Sequence, residues 1–153
     1  MADVLIRPFN PGDQETARTL ILNGLSDHFG LLDPTLNPDL EDIWASYVVQ
    51  GDCFLVAVDG DKLVGTGALI EESAGAGRIV RMSIASDRRR RGIGRLLVRE
   101  LVAAAQRSGY TKIVVETNDD WYGAIQLYRS CGFLQYDQRD GEIHMQLELV
   151  DSG

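Results

Sequence analysis

Three groups of residues stand out by type and spacing. Arg88, Arg89, Arg90 and Arg91 run without interruption into Gly92-Ile93-Gly94-Arg95. Glu116 ends a β-branched run, Ile113-Val114-Val115. Tyr128 stands four residues after Ala124 and four before Gly132. Guanidinium groups bind phosphate through charge-assisted, often bidentate hydrogen bonds. Glycine has no Cβ to hold an anion away from the backbone. A carboxylate can accept a proton and a phenol can donate one. These residue types therefore supply an anion site, a base and an acid.

The arginine–glycine stretch needs a strand before it and a helix after it to act on phosphate. Arg78 to Gly94 reads R-I-V-R-M-S-I-A-S-D-R-R-R-R-G-I-G. Ile79 to Ile84 is β-rich, Ala85 to Asp87 is a polar turn, and a helical segment follows the glycines. The first N–H groups of a helix lack internal acceptors and the helix dipole is positive there. A pyrophosphate satisfies both. Two phosphate loops do not fit. The chain has no Gly-Lys pair for a P-loop, and Leu97 occupies the third-glycine position of a dinucleotide fingerprint. Arg89, Gly92 and Gly94 fit a third pattern, the acyl-CoA turn: Gln or Arg, two residues, Gly, one residue, then Gly or Ala.

On this spacing the chain resembles the GNAT family of N-acetyltransferases. Ala124-Ile125-Gln126-Leu127-Tyr128 with Gly132-Phe133 is similar to the family's second motif, A-x-x-L-Y-x-x-x-G-F. The resemblance covers nearly the whole chain, with Ser86 where the family usually has proline. It implies acetyl-CoA as acyl donor and an amine as acceptor. Met82, Ser83 and Ile84 would lie along the pantetheine. Arg89, Arg90, Arg91, Gly92, Ile93, Gly94 and Arg95 would surround the pyrophosphate. Ala124 would permit close approach to the ligand, and Tyr128 would protonate the departing CoA thiolate. Trp121 replaces the family's asparagine, and Asn118 is the nearby substitute. Glu116 lies five residues before Trp121, which matches the glutamate position of several family members. It is the first choice of base; Glu71, Glu72, His28 and water remain open. Trp44, Tyr47, Trp121 and Tyr122 are candidate walls of the acceptor pocket. The implied function is direct acetyl transfer to a primary amine, on a small molecule or on a protein or peptide. The alternative is a non-catalytic acyl-CoA-binding or regulatory module.

Composition restricts the other classes. At 153 residues and 44% apolar, the expectation is one domain, residues 1–153, with a real core. No run approaches the ~18 apolar residues of a membrane span. Met-Ala-Asp-Val-Leu lacks the features of a signal peptide, and Cys53 and Cys131 read as cytosolic free thiols. A cytoplasmic monomer or homodimer is expected. His28 and His144 are isolated from each other and from both cysteines, so no metal site is expected. The window Arg78 to Arg99 holds eight arginines against one acid. The remainder therefore carries −15 of a chain whose net charge is −8. Nucleic-acid binders are usually basic overall or along a long face. Positive charge focused on one turn suits a compact polyanion instead.

Pattern sets the elements. Val4 to Phe9 is a short strand, with Pro8 confining it to an edge or terminus. Asp13 should cap a helix over Gln14 to Asn23. Gly24 to Asp39 should be irregular. Leu40 to Val49 should form a second helix, with Ile43, Trp44, Tyr47 and Val48 as its apolar side. Cys53 to Asp59 and Lys62 to Glu71 should pair across Asp59-Gly60-Asp61. After the Arg78 to Ile84 strand, Arg95 to Ser108 should be a helix stopped by Gly109. Lys112 to Thr117 should be a strand with Val114, Glu116 and Asn118 on one face. A helix over Trp121 to Ser130 and strands over Phe133 to Gln138 and Glu142 to Leu149 close the chain. The order is β-α-α-β-β-β-α-β-α-β-β. It describes an α/β (α+β) fold, and the resemblance implies a mixed, mostly antiparallel central sheet flanked by helices.

Overall fold

The computed structural model describes residues 4–30 and 36–149, apart from the side chains of His28 and Phe29. Among the described residues seven strands form one sheet: β1 (Val4–Pro8), β2 (Cys53–Asp59), β3 (Lys62–Ser73), β4 (Ala76–Ile84), β5 (Lys112–Asn118), β6 (Leu134–Arg139) and β7 (Glu142–Glu148). Their spatial order is β1-β2-β3-β4-β5-β7-β6. The pairings are antiparallel except β4 with β5, which is parallel. Among the same residues three α-helices flank the sheet: α1 (Gln14–Phe29), α2 (Ile93–Arg107) and α3 (Tyr122–Ser130). This is the mixed, mostly antiparallel arrangement expected.

The sheet separates two cores. On one face α2 and α3 bury Leu97, Leu101, Ile125 and Tyr128 against Ile79, Ile113, Val115 and Met145. On the other, Ala17 and Ile21 of α1 pack with Leu40, Ile43 and Tyr47 over Phe54, Val56 and Ala68. Alternation along β4 and β5 assigns neighbouring residues to opposite cores.

Three expectations need correction. Asp13 makes no side-chain cap on α1. Its carboxylate accepts from Arg7 at 2.8 and 2.9 Å and from the Asn10 N–H at 2.9 Å, which closes a 3-10 turn over Pro11–Asp13. Helix α1 continues past Asn23 to Phe29. Gly24 does not end it but lets it approach the sheet, because a Cβ there would lie 2.9 Å from Ser83 Oγ. The helix expected over Leu40 to Val49 is instead a 3-10 turn, Pro38–Glu41, and a π-helical turn, Trp44–Val48. Gln14 explains the break. Its amide donates to the carbonyls of Leu40 and Glu41 and accepts from the Ile43 N–H, taking groups that a continuous helix would pair internally.

Candidate active site

The parallel pair β4–β5 is short. Its register runs Ala76 to Lys112, Gly77 to Ile113 and Arg78 to Val114, and then stops. Beyond that point β4 stays with β3 and β5 stays with β7, each to its end. The two strands therefore part, and the β5-facing edge from Ile79 to Ile84 has no strand partner among the described residues. Met82, Ser83 and Ile84 lie on this open edge, where backbone N–H and C=O groups are available to an extended ligand. A bulge turns the edge. Arg81 adopts φ +56°, and pairing skips from Thr66–Ser83 to Ala68–Val80. Thr66 Oγ1 fixes the bulge by donating to the Arg81 carbonyl at 2.8 Å. Opposite it, Gly67 leaves room for Met82, whose sulfur would lie 2.6 Å from any Cβ there.

The glycine turn follows directly. Helix α2 begins at Ile93 rather than at Arg95, with Gly92 as N-cap at φ +82°. The first helical bond runs from the Leu96 N–H to the Gly92 carbonyl. The N–H groups of Ile93, Gly94 and Arg95 thus have no helical acceptor. A Cβ built on Gly92 meets nothing within 4 Å, so space is open above the turn. Gly94 lets α3 come close, since its Cβ would lie 3.0 Å from Leu127.

The arginines divide into three sets. Arg88 is half-buried and paired with Asp59, which makes it part of the scaffold. Arg89 reaches toward Asp27 of α1 at 3.7 Å and lines a hollow of about 490 Å³ between α1 and the turn. Arg90, Arg91 and Arg95 are exposed and have no ion-pair partner among the described residues. Arg90 also has positive φ, +65°.

Glu116 and Tyr128 face opposite sides of the sheet. Tyr128 is 4% exposed, in the core under α2 and α3, with its ring edge-on to Phe133 at 5.6 Å. Ala124 lies one turn before it on the same helix face. Burial, and then the neighbouring Cys131, pushes the Tyr128 phenol above the ordinary tyrosine value. No described residue accepts a hydrogen bond from it. Glu116 alternates to the other face, just beyond the point where β4 and β5 part. Arg78 Nη1 donates to Glu116 Oε1, while its Nε and Nη2 hold Glu72 at 2.5 and 2.7 Å. The hydrogen bond from Arg78 keeps the Glu72 carboxyl below its usual range, so Glu72 is a poorer proton acceptor. Glu71 is exposed at the far end of β3. The side chain of His28 lies outside the described residues.

Asn118 ends β5 opposite Glu142, and Trp121 is the N-cap residue of α3. The aromatic candidates for the acceptor wall differ in their surroundings. Tyr47 is a core residue whose hydroxyl donates to Asp39 at 2.5 Å, and Asp39 in turn holds Arg81 of the bulge at 2.7 Å. Trp44 is 40% exposed and Tyr122 is 72% exposed, so neither is packed in the core.

Sequence reasoning missed Arg78, which ties the candidate base to Glu72. It also missed His144, buried beside Glu116 with neither ring nitrogen hydrogen-bonded, and the buried, unpaired Thr117 hydroxyl. Spacing along the chain carries no sign of these, because cross-strand register makes the neighbours. The alternation of Ile143-His144-Met145 is the one available hint that a polar group turns toward the Glu116 face.

A family model for the acetyltransferase (GNAT) family matches residues 20–133. The chain belongs to that family. N-acetyltransferase 8 of Rattus norvegicus is 38% identical over 118 residues, which is 73% of this chain and 51% of that protein. The chain spans about half the length of the curated relatives it matches. Among solved structures, a GNAT-family acetyltransferase from Staphylococcus aureus superposes with TM-score 0.87 at 22% identity, over 97% of this chain and 100% of that one. The PaiA N-acetyltransferase of Thermoplasma acidophilum, solved with coenzyme A, gives TM-score 0.83 at 15% identity, over 96% and 99%.

Proposed function

We propose that this chain transfers the acetyl group of acetyl-CoA directly to a primary amine. The observation that carries the reading is the parting of β4 and β5 beside the free N–H groups at the start of α2. Pantetheine fits the open β4 edge as a strand-like ligand. The pyrophosphate fits the N–H groups of Ile93, Gly94 and Arg95, with Arg90, Arg91 and Arg95 as its counter-charges. Asn118 and Ala124 border the thioester end.

The amine arrives protonated, since alkyl ammonium groups titrate near ~10.4. Glu116 takes one proton, directly or through water. The amine nitrogen then attacks the thioester carbonyl, and the C–S bond breaks. The CoA sulfur leaves as thiolate and receives the Tyr128 phenol proton, and the second proton that the nitrogen sheds as it becomes an amide passes through water to restore the phenol. Base and acid act from opposite faces of the sheet, through the gap between β4 and β5. Backbone donors near Ile84 stabilise the oxygen as it gains charge. Holding both substrates in one complex supplies much of the acceleration, and no acyl-enzyme is required.

The acid-rich surface outside the arginine turn favours a cationic acceptor during encounter. A screen of amino acids, polyamines, aminoglycosides and peptide N-termini, followed by acetyl-CoA-dependent thiol release, tests the reading. Acetyl-CoA binding without thiol release from any amine would favour the binding-module alternative.

A further inference from the structure

Glu116, Glu142 and His144 converge on one face of β5 and β7. The register places Glu116 directly opposite His144 and Asn118 opposite Glu142. Alternation then puts all three side chains on the same face. One donor atom from each lies within 4.8 Å of the other two. His144 is 4% exposed, and both its ring nitrogens are buried without a hydrogen-bond partner. Its Nδ1 lies 3.7 Å from Glu116 Oε1. Tyr136 packs edge-on against the imidazole at 6.1 Å.

Buried polar groups are normally satisfied, and an orphaned pair of imidazole nitrogens calls for a water or an ion. Charge favours the ion. Glu72, Glu116 and Glu142 face Arg78, while on β6 Arg139 stands opposite Glu142 and Asp137 opposite His144, paired with each other at 2.7 Å; four carboxylates against two guanidinium groups leave two negative charges. Glu142 has no ion-pair partner among the described residues. A divalent cation neutralises this excess and uses the His144 lone pair, which a water cannot do in charge.

We propose that Glu116, Glu142 and His144 form a divalent transition-metal site of the zinc-binding class. One imidazole and two carboxylates suit zinc, with a fourth position left to water. Zinc bonds of ~2.0–2.2 Å require donors about 3.4 Å apart. Side-chain rotation of roughly 1 Å closes the set on that geometry, because the ligands stand on paired strands. Arg78 releases Glu116 Oε1 on closure and keeps Glu72.

The test is calorimetric titration of the chelator-treated chain with zinc chloride in a non-coordinating buffer. One zinc per chain is expected, with affinity weakened at least about tenfold in Glu142→Gln and in His144→Gln. Glu100→Gln, which removes an exposed carboxylate on α2, should titrate like the parent. Zinc should also raise the melting temperature of the parent chain and not of Glu142→Gln. Glu142→Gln is the decisive variant, because the half-buried position tolerates the amide even if the buried His144 substitution disturbs folding. No saturable binding, or equal affinity in the parent and Glu142→Gln, overturns the site. The measurement needs no substrate, so it stands apart from the assignment of Glu116 as base. If zinc binds as expected but leaves turnover unchanged, that assignment fails and the site stands.

Discussion

In the proposed reaction two residues, Tyr128 and Glu116, carry the proton transfers. Tyr128 is buried and its hydroxyl bonds to no described residue, so the hydroxyl is not needed to hold the core together. Tyr128→Phe keeps the ring and its contact with Phe133. It should therefore melt close to the parent and bind acetyl-CoA about as tightly. Turnover should fall by about 10²–10⁴, the range of a positioned general acid. A fall below about threefold would show that another group or water protonates the thiolate. Glu116 makes a different prediction, because it is engaged. Arg78 occupies one carboxylate oxygen, and the amine or a bridging water must use the other. Glu116→Gln preserves size and leaves Arg78 on Glu72. Its turnover should be lowest relative to the parent at acid pH, where free amine is scarcest. An unchanged pH–rate profile would move the base to water.

At the scale of elements, the α2 turn carries the sharpest prediction. Gly92 sits at φ +82°, a conformation that costs other residues about 1–2 kcal/mol. Gly92→Val adds a branched side chain both to that backbone and to the open space above the turn. It should lower the melting temperature and weaken acetyl-CoA binding. Gly92→Asn separates the two effects, since asparagine tolerates the left-handed region better. It should recover most of the stability and still bind acetyl-CoA more weakly than the parent. If Gly92→Asn binds like the parent, the space above Gly92 is not the phosphate site. This turn was also the most legible part of the sequence. Its glycines and arginines are local signals, as are the hairpin at Gly60 and the helix stop at Gly109. What the sequence did not disclose is what neighbouring elements decide. Gln14, far along the chain, converts the expected Leu40–Val49 helix into two irregular turns. The close fit of Gly24 against Ser83 carries α1 through a residue that usually ends helices. Arg78, Glu116 and His144 come from three different strands, and only the β4–β5–β7 register brings them together.

The whole molecule combines an acidic surface with a scaffold tied by arginine–carboxylate pairs. Arg7 binds Asp13 between β1 and α1, and Arg81 binds Asp39 between the β4 bulge and the Pro38–Glu41 turn. The hydrogen bonds from Arg7 hold Asp13 below the ordinary aspartate value of 3.8. At Asp39 burial acts in the opposite direction, yet bonds from Arg81 and Tyr47 outweigh it and the net shift is again downward. A carboxylate depressed in the folded chain contributes all of its stabilisation above its unfolded pKa. That contribution is lost as the pH falls through the folded value. The fold should therefore be steady at neutral pH and weaken below about pH 4, where the unfolded chain takes up protons that the paired carboxylates resist. Asp13→Asn isolates one pair. It removes the charge but keeps an amide of similar size beside Arg7 and Asn10. At neutral pH it should melt below the parent, because the charge-assisted bonds are lost and Arg7 is left without its counter-ion. As the pH falls through the lowered value of the folded Asp13 carboxyl the parent loses the same charge, and the two melting curves should converge. Melting temperatures of both chains, measured at steps from neutral to acid pH in constant salt, check this. A gap of equal size at both ends of the range would mean that Asp13 stabilises the chain through shape and neutral hydrogen bonds, and not through its charge.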